Sequence, residues 1–378
     1  MRFETFEMER LQSVWENRVK FNLSESGVHP MSTRELISDP DFLDQLLDSP
    51  LAYSQSNGTE ELRKSIAALY PGADQDNVEV TNGGSEANFI SICGVLEPGD
   101  EVIVELPNYG QIWGLTRGLG MAVKSFRLLE HRNWAPDLDQ LESLASPSTR
   151  MIVVCNPNNP TGAVLTPAEM SSIIDLASRS GAWILADEIY QGSERDGKAT
   201  PSFWEKYDRV IVTSGLSKAY GLPGLRIGWV VAPEATISSL WSFHDYTTIA
   251  PGTLSDMLAR VALSAPGRAR CLKRTRSICR NNLPLFRSWM ESQGSSLSMV
   301  EPKAGAIAYV RYDLPINSTA LVERLLKEKS VLVVPGDHFG MDSFLRIGYG
   351  APPGHLKRAL EHVQVIIQDL RPKTIHAG

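Results

Sequence analysis

The chain has 378 residues, 42% of them hydrophobic and 21% charged, with 29 glycines and 23 prolines; at roughly 150 residues per domain this is an ordinary globular composition for about two domains, and it excludes collagen-like and disordered readings. The 37 lysines and arginines against 44 aspartates and glutamates leave a net charge of −7, which repels phosphate backbones and anionic lipid and argues against nucleic-acid and membrane partners. Four cysteines without a C-x-x-C pair, and no apolar run of signal-peptide or membrane-spanning length, lead to the expectation of a soluble protein of the reducing cytoplasm.

In chain order, residues 1–40 read as an amino-terminal arm packing on a small domain or on another subunit, 41–275 as a large domain and 276–378 as a small carboxy-terminal domain. Apolar, β-branched runs place strands at Val78–Thr81, Glu101–Glu105, Ala122–Phe126, Met151–Cys155, Trp183–Asp187, Val210–Ser214 and Ile227–Ala232. Helical patterns fall between them at Ser85–Leu96, Tyr109–Leu119 and Pro167–Ser178, the last with Thr166 and Glu169 as a capping box. The alternation predicts an α/β fold with a mainly parallel seven-stranded sheet sandwiched by helices. After Pro251, charges at helical spacing from Arg260 to Arg287 predict a connecting helix, broken mainly near Pro266 and Pro284. Short strands at Ala306–Arg311, Val331–Val334 and Phe344–Ile347, with helices at Ser318–Lys329 and Pro353–Asp369, predict a smaller α+β domain.

The most informative segment runs Ser214-Gly215-Leu216-Ser217-Lys218-Ala219-Tyr220-Gly221-Leu222-Pro223-Gly224-Leu225-Arg226-Ile227-Gly228 between two strands. A lysine held at a strand's carboxyl end can form a Schiff base, and an arginine eight residues on can pair with a phosphate anion; the plain alternative is a solvated loop lysine. The Gly-Leu-Pro-Gly-Leu-Arg run argues for a shaped turn.

The chain here resembles the class I/II aminotransferases, fold-type I enzymes that use pyridoxal 5′-phosphate and carry a Ser-Lys followed by Gly-x-Arg-x-Gly. The resemblance spans nearly the whole chain and implies an aspartate aminotransferase-like fold whose large domain binds the cofactor. Three further segments match in the family's order. In Asn156-Pro157-Asn158-Asn159-Pro160-Thr161-Gly162, otherwise a simple turn, Asn159 takes the place of the asparagine on the cofactor's phenolic oxygen. In Trp183–Tyr190 the resemblance gives Asp187 the protonated ring nitrogen as partner and lets Tyr190 share the phenolic oxygen with Asn159; a strand-end acid is otherwise often a helix cap. In Thr81-Asn82-Gly83-Gly84-Ser85-Glu86-Ala87, a glycine turn entering a helix and so a natural anion site, Gly84, Ser85 and the Glu86 amide would hold the phosphate beside Arg226 and Ser217.

Three outlying positions extend the match. Tyr109 corresponds to the aromatic on the pyridine ring, Tyr53 to a tyrosine that reaches the phosphate of a neighbouring subunit's site, and Arg346 to the arginine that grips the substrate α-carboxylate. The resemblance thus implies a homodimer with shared sites. The family often has a serine three residues before the lysine where this chain has Gly215; Ser217, Ser85, Arg226 and backbone amides, or else Ser214, would then serve the phosphate. The side-chain pocket is expected from the arm near Gly27, Val28 and His29.

Other classes fit less well. A serine hydrolase elbow lacks its last glycine at Ala87, a Ser-x-x-Lys acyl enzyme fails at Gly215, and no strand is followed by a full G-x-G-x-x-G. The histidines and cysteines show no paired metal-ligand spacing. A regulatory module that binds the cofactor without turnover is the non-enzymatic reading, disfavoured by the intact set of Lys218, Asp187 and Arg346, which a pure interaction protein would have no reason to hold. The expected function is therefore transfer of an amino group between an L-amino acid and a 2-oxo acid through a Lys218 Schiff base; elimination, replacement or cyclisation in specialised amino-acid biosynthesis is the alternative within the same cofactor class.

Overall fold

The computed structural model describes residues 2–371; residues 372–378, the end of the expected small domain, lie outside the described residues. The arm contributes helix α1 (Glu7–Trp15) and a two-residue strand β1 (Phe21–Asn22), followed by α2 (Thr33–Leu36), α3 (Pro40–Asp48) and α4 (Glu60–Ala67). Local chemistry starts these last three: the side chains of Ser32, Asp39 and Thr59 each accept a backbone N–H of the first turn.

The large sheet holds β2 (Val78–Thr81), β3 (Glu101–Leu106), β4 (Ala122–Leu129), β5 (Ala135–Pro136), β6 (Thr149–Cys155), β7 (Trp183–Asp187), β8 (Val210–Gly215) and β9 (Gly228–Val231), in the order β2-β9-β8-β7-β6-β3-β4-β5. From β8 through β7, β6 and β3 to β4 every pairing is parallel. β9 alone of the seven expected strands runs against its neighbours β8 and β2. The eighth strand, β5, is a two-residue antiparallel addition to the end of β4, too short for a hydrophobic period to announce it.

Alternate strand residues enter two separate cores, as a period of two requires. Ile103, Ile152, Val154, Ile184 and Val212 pack with α4, α8 (Pro167–Ser180) and α10 (Thr253–Leu263), whereas Val102, Val104, Met151, Val153, Leu185 and Ile211 pack with α5 (Gly84–Val95), α6 (Gly110–Leu119) and α9 (Glu234–His244). Helix α7 (Leu138–Leu144) lies beside β4 and α8. Both faces are therefore covered, which is why these strands read as continuous apolar runs.

Helix α11 (Ala265–Ser292) joins this layer to the rest of the chain. Ser264 separates it from α10 and accepts the Gly267 N–H, so the first break falls just before Pro266. Pro284 does not break the helix, contrary to the sequence expectation. Its missing N–H and ring clash are outweighed because Cys279, Leu283, Phe286 and Trp289 on that stretch are buried in a third core, that of the small domain. The expected boundary at 275 falls inside α11, whose Cys271 and Leu272 belong to the large-domain core.

Beyond it, β10 (Leu297–Met299), β11 (Ile307–Tyr312), α12 (Ser318–Arg324), β12 (Val331–Leu332), β13 (Val334–Pro335), β14 (Phe344–Gly348) and α13 (Pro353–Leu370) complete the chain. An antiparallel sheet of order β10-β11-β14-β13 packs against α11 and α13. The arm touches both layers. β1 pairs in parallel with β12, and Leu23 and Val28 enter the small-domain core; Phe6 meets the Tyr109 ring edge-on, and the Arg2 amide donates to the Gly118 carbonyl of α6. Among the described residues no helix is long and apolar enough to cross a membrane, and no group of His, Cys, Asp and Glu could hold a metal ion.

Candidate active site

Because β6, β7 and β8 are parallel, the loops at their carboxyl ends emerge at one edge of the sheet, where ligand sites of open α/β sheets form. β2, parallel to β8 through two antiparallel steps, delivers the start of α5 to the same edge. Facing these ends are α1 of the arm and Arg346 on β14. Together they enclose a cavity of about 400 Å3.

Ten of the residues singled out in the sequence line this cavity: Gly84, Ser85, Tyr109, Asn159, Asp187, Tyr190, Ser217, Lys218, Arg226 and Arg346. Lys218 leaves the loop after β8, whose return is fixed by Leu216 N–H on the Ile227 carbonyl and by Gly221 N–H on the Lys218 carbonyl. Its Nζ donates to Glu25 Oε1 at 2.7 Å. Burial works against the ammonium, but Glu25 and Tyr190 outweigh it and push the Lys218 pKa up, while Lys218 holds Glu25 down at about 2.

Asp187 ends β7. Its Oδ1 accepts the Ile189 amide at 3.1 Å and its Oδ2 the Asn88 side chain at 3.4 Å. Both donors are neutral, and burial pushes the carboxyl up. Tyr190 donates to Ser26 Oγ at 2.8 Å, and Asn159 Oδ1 accepts from Arg346 Nη1 at 3.0 Å. Arg346 Nη2 donates to the Ser24 carbonyl at 2.6 Å, which leaves the buried Nε without a hydrogen-bond partner. The Tyr109 hydroxyl donates to Glu9 at 2.8 Å.

The turn into α5 is built on close approach. Gly83 has φ +95°, and a Cβ there would lie 2.3 Å from Arg226 Nη2, so only glycine lets the guanidinium sit against the turn. Arg226 is itself left-handed at φ 50°, with Nη1 donating to the Pro223 carbonyl and Nη2 to the Asn82 carbonyl. The first amides of α5 have no acceptor within the helix, and the helix dipole adds partial positive charge beside Arg226.

Glu86 departs from the expectation. It does not line the cavity, and its amide donates to the Gly83 carbonyl at 3.1 Å. Its carboxylate instead braces the turn from behind, accepting the Asn82 amide at 2.6 Å and the Thr248 hydroxyl at 2.8 Å. His244 stands next to it, 3.5 Å from Glu86 and 2.7 Å from the buried Glu79.

Gly215 has a steric reason. A Cβ there would meet the Ile227 carbonyl oxygen at 2.8 Å and Gly228 Cα at 3.0 Å, because antiparallel β9 crosses that position. Ser214 does not substitute for a serine at Gly215, since it donates to the Glu188 carbonyl away from the cavity; Ser217 and Ser85 line it. Gly27 lies beside the cavity rather than in its wall, 3.6 Å from Lys218 Cδ at the position of a Cβ, and His29 is tied to the Gly350 carbonyl. Tyr53 lies outside the chain's own cavity and is 87% exposed.

Residue reasoning missed Glu25, Ser26, Asn88 and the α1 face of Met8, Glu9, Gln12, Ser13 and Glu16. The spacing of 8, 12 and 16, and of 9 and 13, was the available signal, since it sets these residues on one helix face.

Comparison with known proteins gives the family. Residues 45–363 match the family described as aminotransferase class I and II. Capreomycidine synthase of Streptomyces vinaceus is 36% identical over 352 residues, covering 91% of this chain and 88% of the relative. A solved PLP-dependent aminotransferase from Streptococcus suis 89-1591 superposes with TM-score 0.93 at 32% identity, over 99% of this chain and all of that one, and the PLP-dependent cyclase OrfR with TM-score 0.88 at 26% identity, over 98% of each. The chain belongs to the class I and II aminotransferases, enzymes that use pyridoxal 5′-phosphate.

Proposed function

We propose that this chain is an aminotransferase acting on an L-amino acid and a 2-oxo acid, with Lys218 as the residue that carries the cofactor and moves the substrate's α-proton. The observation that supports it is the convergence of Lys218, Asp187, Arg226 and Arg346 on one cavity.

The donors fit each polar group of pyridoxal phosphate. Lys218 Nζ would take the aldehyde carbon, Arg226 with Gly84, Ser85 and Ser217 the phosphate, and Asn159 and Tyr190 the phenolic oxygen. Asp187 is a half-buried carboxylate in the cavity wall with only neutral donors, which suits a protonated ring nitrogen. When bound, the cofactor supplies an electron sink for negative charge at the substrate's Cα. Arg346, which lines the cavity, donates only to the neutral oxygens of Asn159 and Ser24 and forms no ion pair among the described residues, would hold the α-carboxylate with its guanidinium. With its Nζ free, Lys218 would take the proton from the substrate's Cα as base and, as the resulting ammonium, would deliver it as acid away from Cα, as transfer of the amino group requires. Tyr53 is assigned to the phosphate of a second subunit in a homodimer.

A second reading, cyclisation or replacement, draws support from the 36% identical capreomycidine synthase and from the cyclase structure. It shares every residue role up to removal of the α-proton and differs in where that charge is spent.

Borohydride reduction of the loaded enzyme followed by peptide mapping should place a pyridoxyl group on Lys218; an adduct elsewhere, or none, would reject the assignment. Mass spectrometry of the products then separates the two readings, an oxo acid marking transfer and a cyclic or side-chain-substituted amino acid marking the second.

A further inference from the structure

The geometry points to a substrate whose side chain ends in a cation, a guanidinium or an ammonium, read by Glu16 together with Glu9 and Glu25. This rests on the function proposed above and deepens it to a substrate class.

Counting charge around the cavity gives three cations, Lys218, Arg226 and Arg346, and four carboxylates, Glu9, Glu16, Glu25 and Asp187. In the working enzyme each cation and Asp187 has a partner already assigned. Lys218 binds carbon, Arg226 faces phosphate, Arg346 faces the α-carboxylate and Asp187 faces the ring nitrogen. Glu25 therefore gives up the ammonium it holds at 2.7 Å. Glu9 and Glu16 form no ion pair among the described residues; Glu9 accepts only the Tyr109 hydroxyl. Three carboxylates are left on one side of the cavity with no cation of the protein to balance them.

Their fields overlap. Burial pushes the Glu16 carboxyl up, the charges of Glu25 and Glu9 push it up further, and the one cation opposing them is Lys218, whose amine the proposed function engages with the cofactor. Like charges gathered in a partly enclosed cavity are unfavourable unless a ligand supplies the opposite sign. Arg346 independently marks the same cavity as a ligand site, since its guanidinium is buried in the wall, donates only to the neutral oxygens of Asn159 and Ser24, and forms no ion pair among the described residues. The cavity is thus bipolar: an anion grip on β14 and an acidic wall on α1 and the segment that follows it. A zwitterion with a cationic tail meets both, a neutral tail leaves the acids unbalanced, and an acidic tail adds a like charge.

The test is titration of the loaded enzyme, following the absorbance of bound cofactor, with L-arginine and its neutral isostere L-citrulline, L-lysine and L-norleucine, and L-glutamate. Half-saturation should come at a concentration about ten-fold or more lower for at least one cationic member than for its neutral partner, equivalent to about 1.4 kcal/mol; which pair shows the gap tells guanidinium from ammonium. Glu16→Gln and Glu9→Gln, made separately, should each narrow that ratio. Neutral partners bound as tightly as the cationic ones, or L-glutamate bound more tightly than both, overturn the inference whatever the variants do. Failure of the underlying cofactor assignment is seen separately, as absence of the reduced pyridoxyl group on Lys218.

Discussion

Glu25 and Lys218 set a constraint on each other before any cofactor arrives. A lysine attacks a carbonyl only as the neutral amine, yet the carboxylate 2.7 Å away favours the ammonium and raises the Lys218 pKa. Glu25 is itself fixed, since its Oε1 accepts the amides of Ser26 and Gly27 at 2.9 Å. Glu25→Gln keeps the side chain's length and removes the charge, so more of Lys218 is neutral near pH 7. Capture of pyridoxal phosphate by the apoenzyme should become several-fold faster there, and its pH–rate profile should move toward lower pH. Stopped-flow absorbance across the neutral to alkaline range measures both; an unmoved profile would show that Glu25 does not control the amine's proton.

Between elements, the buried contact of α9 with β2 and α5 is the comparable device. Burial disfavours a charged His244, but Glu79 and Glu86 outweigh it and push its pKa up from 6.5 to about 9. A folded pKa above the unfolded one means that the stabilisation from the protonated ring is present below its ordinary 6.5 and is lost as pH rises through about 9; Glu86, held down at about 2, is its charged partner at neutral pH, whereas burial pushes Glu79 up to about 7. His244→Gln leaves buried carboxylate without its cation, a change that costs about 3–5 kcal/mol in such pairs. The variant should melt several degrees below the parent at pH 7, and the gap should close toward pH 10. Because Glu86 holds the Asn82 amide, the variant should also lose preference for pyridoxal phosphate over pyridoxal; equal melting at all pH values would reject the charged bridge. The strands and the Gly83 turn were legible because each is written in consecutive residues: an apolar run, or a glycine where φ must be positive. The acidic wall was not, because Glu25 meets Lys218 across 193 residues, brought there by long-range contacts of its segment such as the β1–β12 pairing and the Gly348 amide on the Leu23 carbonyl. Pro284 misled for a related reason, since its local penalty is visible in sequence while the burial of Leu283 and Phe286 that offsets it is not.

At the scale of the whole molecule, exposed apolar side chains gather on one surface. Leu47, Leu51, Tyr53, Tyr246 and Ile249 are each at least half exposed. They lie on neighbouring segments, for Ser54 Oγ donates to the Pro251 carbonyl at 2.7 Å and Asn82 Nδ2 to the Ala250 carbonyl at 3.2 Å. The second bond ties this surface to the turn entering α5, so a second copy docked here would bring its Tyr53 toward the anion end of the cavity. The proposed two-fold dimer makes a quantitative prediction. Tyr53→Ala is assayed at a cofactor level where it is inactive alone, then co-refolded in equal amounts with Lys218→Ala. If Tyr53 acts in trans, each hybrid dimer has one site with both defects and one with neither. Random pairing makes about half the dimers hybrids, so roughly a quarter of parental activity should return. If Tyr53 serves its own subunit, every site keeps one defect and no activity returns, and a chain that sediments as a monomer at assay concentration would reject the shared site as well.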